Sequence, residues 1–149
     1  MNTTTLPHAR AVPSVATAAS TNFTDHAALL LRVGLGVMFL AHGLMKFITF
    51  TLPGTATFFE SVGFPGWTAY IVSPAEVLAG AALIVGFRTR LVALLSLPIL
   101  LGSIIPHAGA GWSFSNAGGG WEYPVYLVAT AIVVALLGGG RFALSKPNA

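Results

Sequence analysis

The chain has 149 residues, 55% of them apolar and only 7% charged, with a formal net charge of +3 and no cysteine. Soluble domains carry about 25% charged residues, so the apolar excess here faces lipid and the composition describes a membrane protein. Without cysteine there is no disulfide framework, dithiol redox motif, thiolate metal site or iron–sulfur cluster, and the small, dispersed positive charge is no nucleic-acid footprint.

The opening residues, MNTTTLPHARAVPSVATAASTNFTDH, are rich in Thr, Ala and Ser. They read as a mobile tail over residues 1–25, with no apolar core ahead of the Ala/Ser stretch to make a signal peptide. A spanning helix needs about 20 mostly apolar residues. The first candidate covers residues 27–50, with Thr24 or Asp25 placed to cap it. The connection TLPGTATFFESVGFPG follows; Pro53-Gly54 and Phe64-Pro65-Gly66 are turn signals, and TATFFESV between them suits a short interfacial helix.

A second span is expected over 67–86. Within it Ser73-Pro74-Ala75-Glu76 matches a capping box, so either the span kinks at Pro74 or a new helix starts at Ala75. A third span covers 91–105 and ends at Pro106-His107. The linker AGAGWSFSNAGGG holds too much Gly and Ser to be helical throughout, and a fourth span covers 121–137 before a Gly-Gly-Gly stop. The expected fold is an all-α four-helix membrane bundle ending at residue 145, with residues 146–149 as a tail. Arg10, Arg88, Arg90, Arg141 and Lys146 fall on one side if the N-terminus is inside, so both termini are expected in the cytoplasm.

At 100° per residue, Arg32, Gly36, Phe39, His42, Gly43 and Lys46 share about a third of the first helix's circumference, while Leu31, Val37 and Leu44 point elsewhere. Ionisable residues within spans usually face the bundle interior, and small residues let helices approach closely; this face packs inward. In the second span Ala75, Ala79, Ala82 and Gly86 form a small-residue seam beside Glu76 and Gly80. A carboxylate in hydrocarbon needs a partner. An Arg32–Glu76 pair is expected, with Lys46 as the other candidate for Glu76.

Toward the outer end the sequence gathers His42, Lys46, His107, Trp112, Trp121, Glu122, Tyr123 and Tyr126. An apolar cavity with a few converging polar groups is the usual form of a small-molecule site. The competing reading makes the aromatic residues an interfacial belt, Lys46 a snorkelling side chain, and Arg32–Glu76 a structural clamp. No Ser/His/Asp set occurs, and Gly34-Leu35-Gly36 lacks the preceding strand of a dinucleotide loop.

RVGLGVMFLAHGLMKF, SPAEVLAGAALIVGFRTR and ALLGGGRFALS together resemble the DoxX/DoxD-like family of small four-helix membrane proteins, over roughly residues 29–145. The positions matching the family pattern are Arg32, His42, Gly43, Lys46, Glu76, Gly80, Arg90, Glu122 and Arg141. The family tail continues to an acid, whereas Ala143-Leu144-Ser145 has none. The resemblance implies a multi-pass protein of the bacterial cytoplasmic membrane and a link to quinone redox chemistry, the family being named for a subunit of thiosulfate:quinone oxidoreductase.

On that basis His42, Lys46 and Glu122 are the candidate catalytic residues, and His107, Trp112, Trp121 and Tyr123 the candidate substrate-binding residues. Gly36, Gly43 and Gly80 are the candidate packing positions. A quinone is the expected ligand, with no bound metal, haem or flavin. The expected partners are the lipid bilayer and either a soluble redox protein or further copies of the chain. The other functional readings are a non-catalytic scaffold for a soluble redox or stress-response enzyme and a small transporter.

Overall fold

The structure, a computed structural model, describes residues 15–145, and all its regular elements are helical. They are α1 (Val15–Ile48), α2 (Leu52–Ser61), α3 (Ala69–Val85), α4 (Thr89–Gly102) and α5 (Glu122–Leu137), with 3₁₀ turns at Gly66–Thr68 and Ile105–Ala110. Residues 1–14 and 146–149 of the expected tails, with Arg10 and Lys146, lie outside the described residues. The remainder of the expected N-terminal tail is helical, because α1 starts at Val15 and not near residue 27.

Asp25 therefore caps nothing. Its carboxylate accepts the backbone N–H of Arg141 at 3.1 Å and so ties the end of the chain to α1.

α1 packs along α3 and α4 along α5, and contacts of α3 with α4 and of α1 with α5 close the four into a ring. The core between them is a single cluster of Leu35, Phe39, Leu83, Ala93, Leu100, Ala131 and Val134. Val37 and Leu44 are exposed as the helical period predicts, but Leu31 packs against the core. Leu30, Leu78, Leu95 and Leu136 stand outward on the four helices, each at least 66% exposed. Two segments, Phe23–Ile48 and Gly66–Val85, are long and apolar enough to cross a bilayer; α4 and α5 are apolar but shorter.

The α1–α3 contact is set by glycine. A Cβ on Gly36 would stand 2.9 Å from the Gly80 carbonyl oxygen, one on Gly43 2.9 Å from the Val77 nitrogen, and one on Gly80 2.5 Å from the Leu40 nitrogen. The seam on α3 consists of Ser73, Glu76, Gly80 and Leu83, which are buried. The alanines at 75, 79 and 82 flank it and are only partly buried.

α3 runs unbroken through Pro74, and Ser73 does not cap a new helix. Its hydroxyl donates to the Ala69 carbonyl one turn back, at 2.7 Å. α3 ends in a Schellman motif. Gly86 takes φ 75°, its N–H meets the Leu83 carbonyl, and the Phe87 N–H meets that of Ala82.

Candidate functional site

The register of the glycine seam decides which charges meet. With Gly36 beside Gly80 and Ile84, and Gly43 beside Glu76 and Val77, Arg32 lies level with the C-terminal end of α3 and Glu76 with the last turns of α1. The expected Arg32–Glu76 pair does not form. Position 32 is more than two helical turns from the position that faces Glu76, about 15 Å at 1.5 Å per residue, beyond a side chain's reach.

Lys46 takes the carboxylate instead. Its Nζ lies 2.6 Å from Glu76 Oε2 and 3.4 Å from the His42 carbonyl, with the two side chains only 17% and 9% exposed. An ammonium has three donors, so these contacts leave one.

Arg32 is 2% exposed and bonded entirely to backbone. Its guanidinium donates to the carbonyls of Leu83 (2.8 Å), Ile84 (2.5 Å), Gly139 (3.1 Å) and Phe142 (2.9 Å). Two of these carbonyls lie in the last turn of α3, where that of Leu83 also takes the Gly86 N–H and where positive charge is favoured by the helix dipole. The other two belong to the Gly-rich tail, which folds back on α3 through Leu144 N–H to Val85 O and Ser145 N–H to Gly86 O.

At the opposite end of the bundle, α1, α2, α3, α4 and the Ile105–Ala110 turn enclose a cavity of about 870 Å³. His42, Lys46, Glu76 and His107 all line it. His42 Nδ1 donates to the Met38 carbonyl at 2.8 Å, and His107 Nδ1 donates to the carbonyls of Gly118 and Gly119 at 2.9 and 3.0 Å. Carbonyls only accept, so in both rings the proton sits on Nδ1 and Nε2 is the nitrogen available to a ligand.

The other expected residues are placed differently. Glu122 does not line the cavity; its Oε1 accepts the Phe114 N–H at 2.7 Å and closes the loop ahead of α5. Trp112 and Trp121 pack edge to face on each other, centroids 4.6 Å apart at 89°, and also lie outside the cavity lining. They pin the base of the same loop, where the Trp121 N–H meets Gly111 O and the Glu122 N–H meets Trp112 O. Tyr123 stands behind His42, the rings 6.4 Å apart and inclined by 29°. Its hydroxyl is buried without a hydrogen-bond partner among the described residues.

Sequence reading missed the contribution of α2. Thr55, Phe58, Phe59 and Val62 all face the cavity. Thr55, Phe59 and Val62 recur at i, i+4 and i+7, the apolar stripe of an amphipathic helix, and that spacing was the available signal.

The Lys46–Glu76 pair makes a stability prediction. Lys46→Met is expected to cost about 3 kcal/mol, because it leaves a carboxylate in an apolar wall with no counter-charge. Adding Glu76→Gln should recover most of that loss. Thermal melts of both single variants and the double in one detergent read the coupling, and strictly additive losses would mean that the pair is not coupled.

The profile of the DoxX family matches residues 27–109. Over 116 residues the chain is 37% identical to a protein of Bacillus subtilis (strain 168) named "Putative oxidoreductase CatD", an alignment spanning 78% of this chain and 82% of that one. No solved structure matches it.

Proposed function

Because this chain belongs to the DoxX family of membrane proteins, we propose that it is the quinone-interacting membrane subunit of an oxidoreductase, with the substrate held between His42, Lys46 and His107. The observation that carries this reading is the cavity itself, an aromatic-walled chamber in which a buried Lys46–Glu76 pair and two imidazoles converge. A quinone ring presents two carbonyls on an apolar disc. The remaining donor of Lys46 suits one carbonyl and stabilises the negative charge that develops there on reduction.

His42 Nε2 and His107 Nε2 accept protons from the quinol oxygens in one direction and, once protonated, return them to the quinone oxygens in the other. Reduction to the quinol takes two electrons and two protons. The electrons come from a redox centre on a partner protein. Glu76, bonded to Lys46, takes the catalytic place expected of Glu122.

In the membrane we propose four crossings, with both termini in the cytoplasm of a bacterium. Arg88, Arg90 and Arg141 gather at the tail end of the bundle, whereas Lys46 at the α2 end is neutralised by Glu76; the positive-inside rule then turns the tail end inward. The cavity lies in the outer leaflet. A transport path is disfavoured, because buried Leu35, Phe39 and Leu83 separate the cavity from the Arg32 cluster.

The test is binding of a quinone analogue to purified protein in nanodiscs, wild type against His42→Ala. Saturable binding that weakens at least tenfold in the variant, with folding intact, is the expected result. No binding in either protein would leave a scaffold as the working description.

A further inference from the structure

The ionisable groups of the cavity come from α1 (His42 and Lys46), α3 (Glu76) and, through His107, the Ile105–Ala110 turn, which leaves the α2 side without one. The hydroxyls elsewhere in the lining are already committed. Thr55 Oγ1 donates to Thr51 O, Thr68 Oγ1 to Pro65 O and Ser103 Oγ to Leu100 O, at 2.9, 2.6 and 2.7 Å. With their protons used locally, these residues have no side-chain donor left for a ligand.

Along this side runs a row of aromatic rings. Phe58 and Phe59 are 6.4 Å apart and Phe59 and Phe64 6.0 Å apart, both tilted. At its inner end Phe64 stands against α4, where a Cβ on Gly102 would lie 3.7 Å from the ring. At its outer end Phe58 is 52% exposed, and Phe50 beside the cavity is 54% exposed. A residue that lines a cavity and is also more than half exposed marks its mouth, and both residues at this mouth are phenylalanines.

The helix bearing the row is set off from the bundle. α2 packs chiefly against the Gly66–Thr68 turn and α3. Left-handed residues bound it on both sides, Thr51 at φ 62° and Gly63 at φ 91°. For threonine that backbone costs about 1–3 kcal/mol and persists only where its surroundings hold it.

We propose that the cavity binds an amphiphile with one hydrogen-bonding ring and a long hydrocarbon tail, the tail lying along Phe58, Phe59 and Phe64 and leaving into lipid past Phe58 and Phe50. Its ring is the quinone of the proposed function, on which this inference rests, and it adds that the substrate is a tailed, membrane-resident quinone admitted sideways from the bilayer. A head group alone would leave the aromatic row without contacts, and burial of each methylene against it favours binding.

The experiment compares a tailless benzoquinone with the same ring bearing a ten-carbon tail, on full-length protein in nanodiscs. The quantity read is the ratio of their affinities in wild type, in Phe58→Ala/Phe59→Ala and in Gly102→Leu. Partition into lipid is the same for every variant and drops out of the comparison. Gly102→Leu narrows the row from α4 without touching α2, so it stands even where the double variant folds poorly.

The expected result is a tail advantage at least fivefold smaller in the variants than in wild type, read as a ratio so that any change in binding of the ring itself cancels. An unchanged tail advantage, with the ring still bound, would overturn the tail channel and leave the quinone reading intact. A tailed hydrocarbon without a quinone ring that binds as well as the tailed quinone would uphold the channel and remove the quinone. Binding of none of the three would remove both.

Discussion

Arg32→Met is expected to abolish recovery of folded protein, and Arg32→Lys to restore little of it. The guanidinium satisfies four backbone carbonyls at once, two at the end of α3 and two in the tail. Leaving a buried acceptor without a donor costs about 1–3 kcal/mol, and several such losses together approach the roughly 5–15 kcal/mol that holds a whole domain folded. Lysine supplies a point charge on one nitrogen and lacks the planar fork that reaches acceptors on both sides. Size-exclusion profiles in mild detergent, with limited proteolysis of the C-terminal segment, read the outcome. A monodisperse Arg32→Met protein with a protected tail would refute the clamp.

Gly80→Ala is expected to lower stability by about 3 kcal/mol, the upper part of the usual range for overpacking. The added methyl would lie 2.5 Å from the Leu40 nitrogen and 2.7 Å from the Gly36 carbonyl oxygen. Both are backbone atoms of α1 that no rotamer change moves aside, so the two helices must separate. Gly34→Ala is the matching control on α1. Gly34 is exposed, and a Cβ there meets nothing within 4 Å. It should stabilise by up to about 1 kcal/mol through helix propensity. Thermal melts by circular dichroism in one detergent measure both, and equal effects of the two alanines would mean that the seam is not the cause.

The inward face of α1 was legible because it depends only on helical period. Arg32, Gly36, Phe39 and Gly43 are buried and His42 and Lys46 half-buried, as 100° steps require. The apolar segments gave the positions of α3, α4 and α5 to within a few residues, and the turn signals around TATFFESV gave α2. Partner choice was less legible. The Arg32–Glu76 expectation placed both residues at a common depth by counting from assumed membrane planes, whereas the close approach at Gly36, Gly43 and Gly80 fixes the register and brings Lys46 to Glu76.

Asp25 shows the same limitation. It has the composition of a cap and serves instead as an acceptor for a residue 116 positions later, a contact no local pattern encodes. Glu122, Trp112 and Trp121 were grouped with the cavity by height alone. A loop closed on itself holds them together and keeps them out of the lining.

The acceptors of Arg32 also bear on how the protein comes to exist. The Gly139 and Phe142 carbonyls stand 107 and 110 residues beyond it and leave the ribosome only after α2 to α5 have been made. Until α3 is made Arg32 has none of these acceptors, and until residue 139 is made it still lacks two of the four. The bundle is sealed only when residues 139 and 142, made after α5, come back to α1.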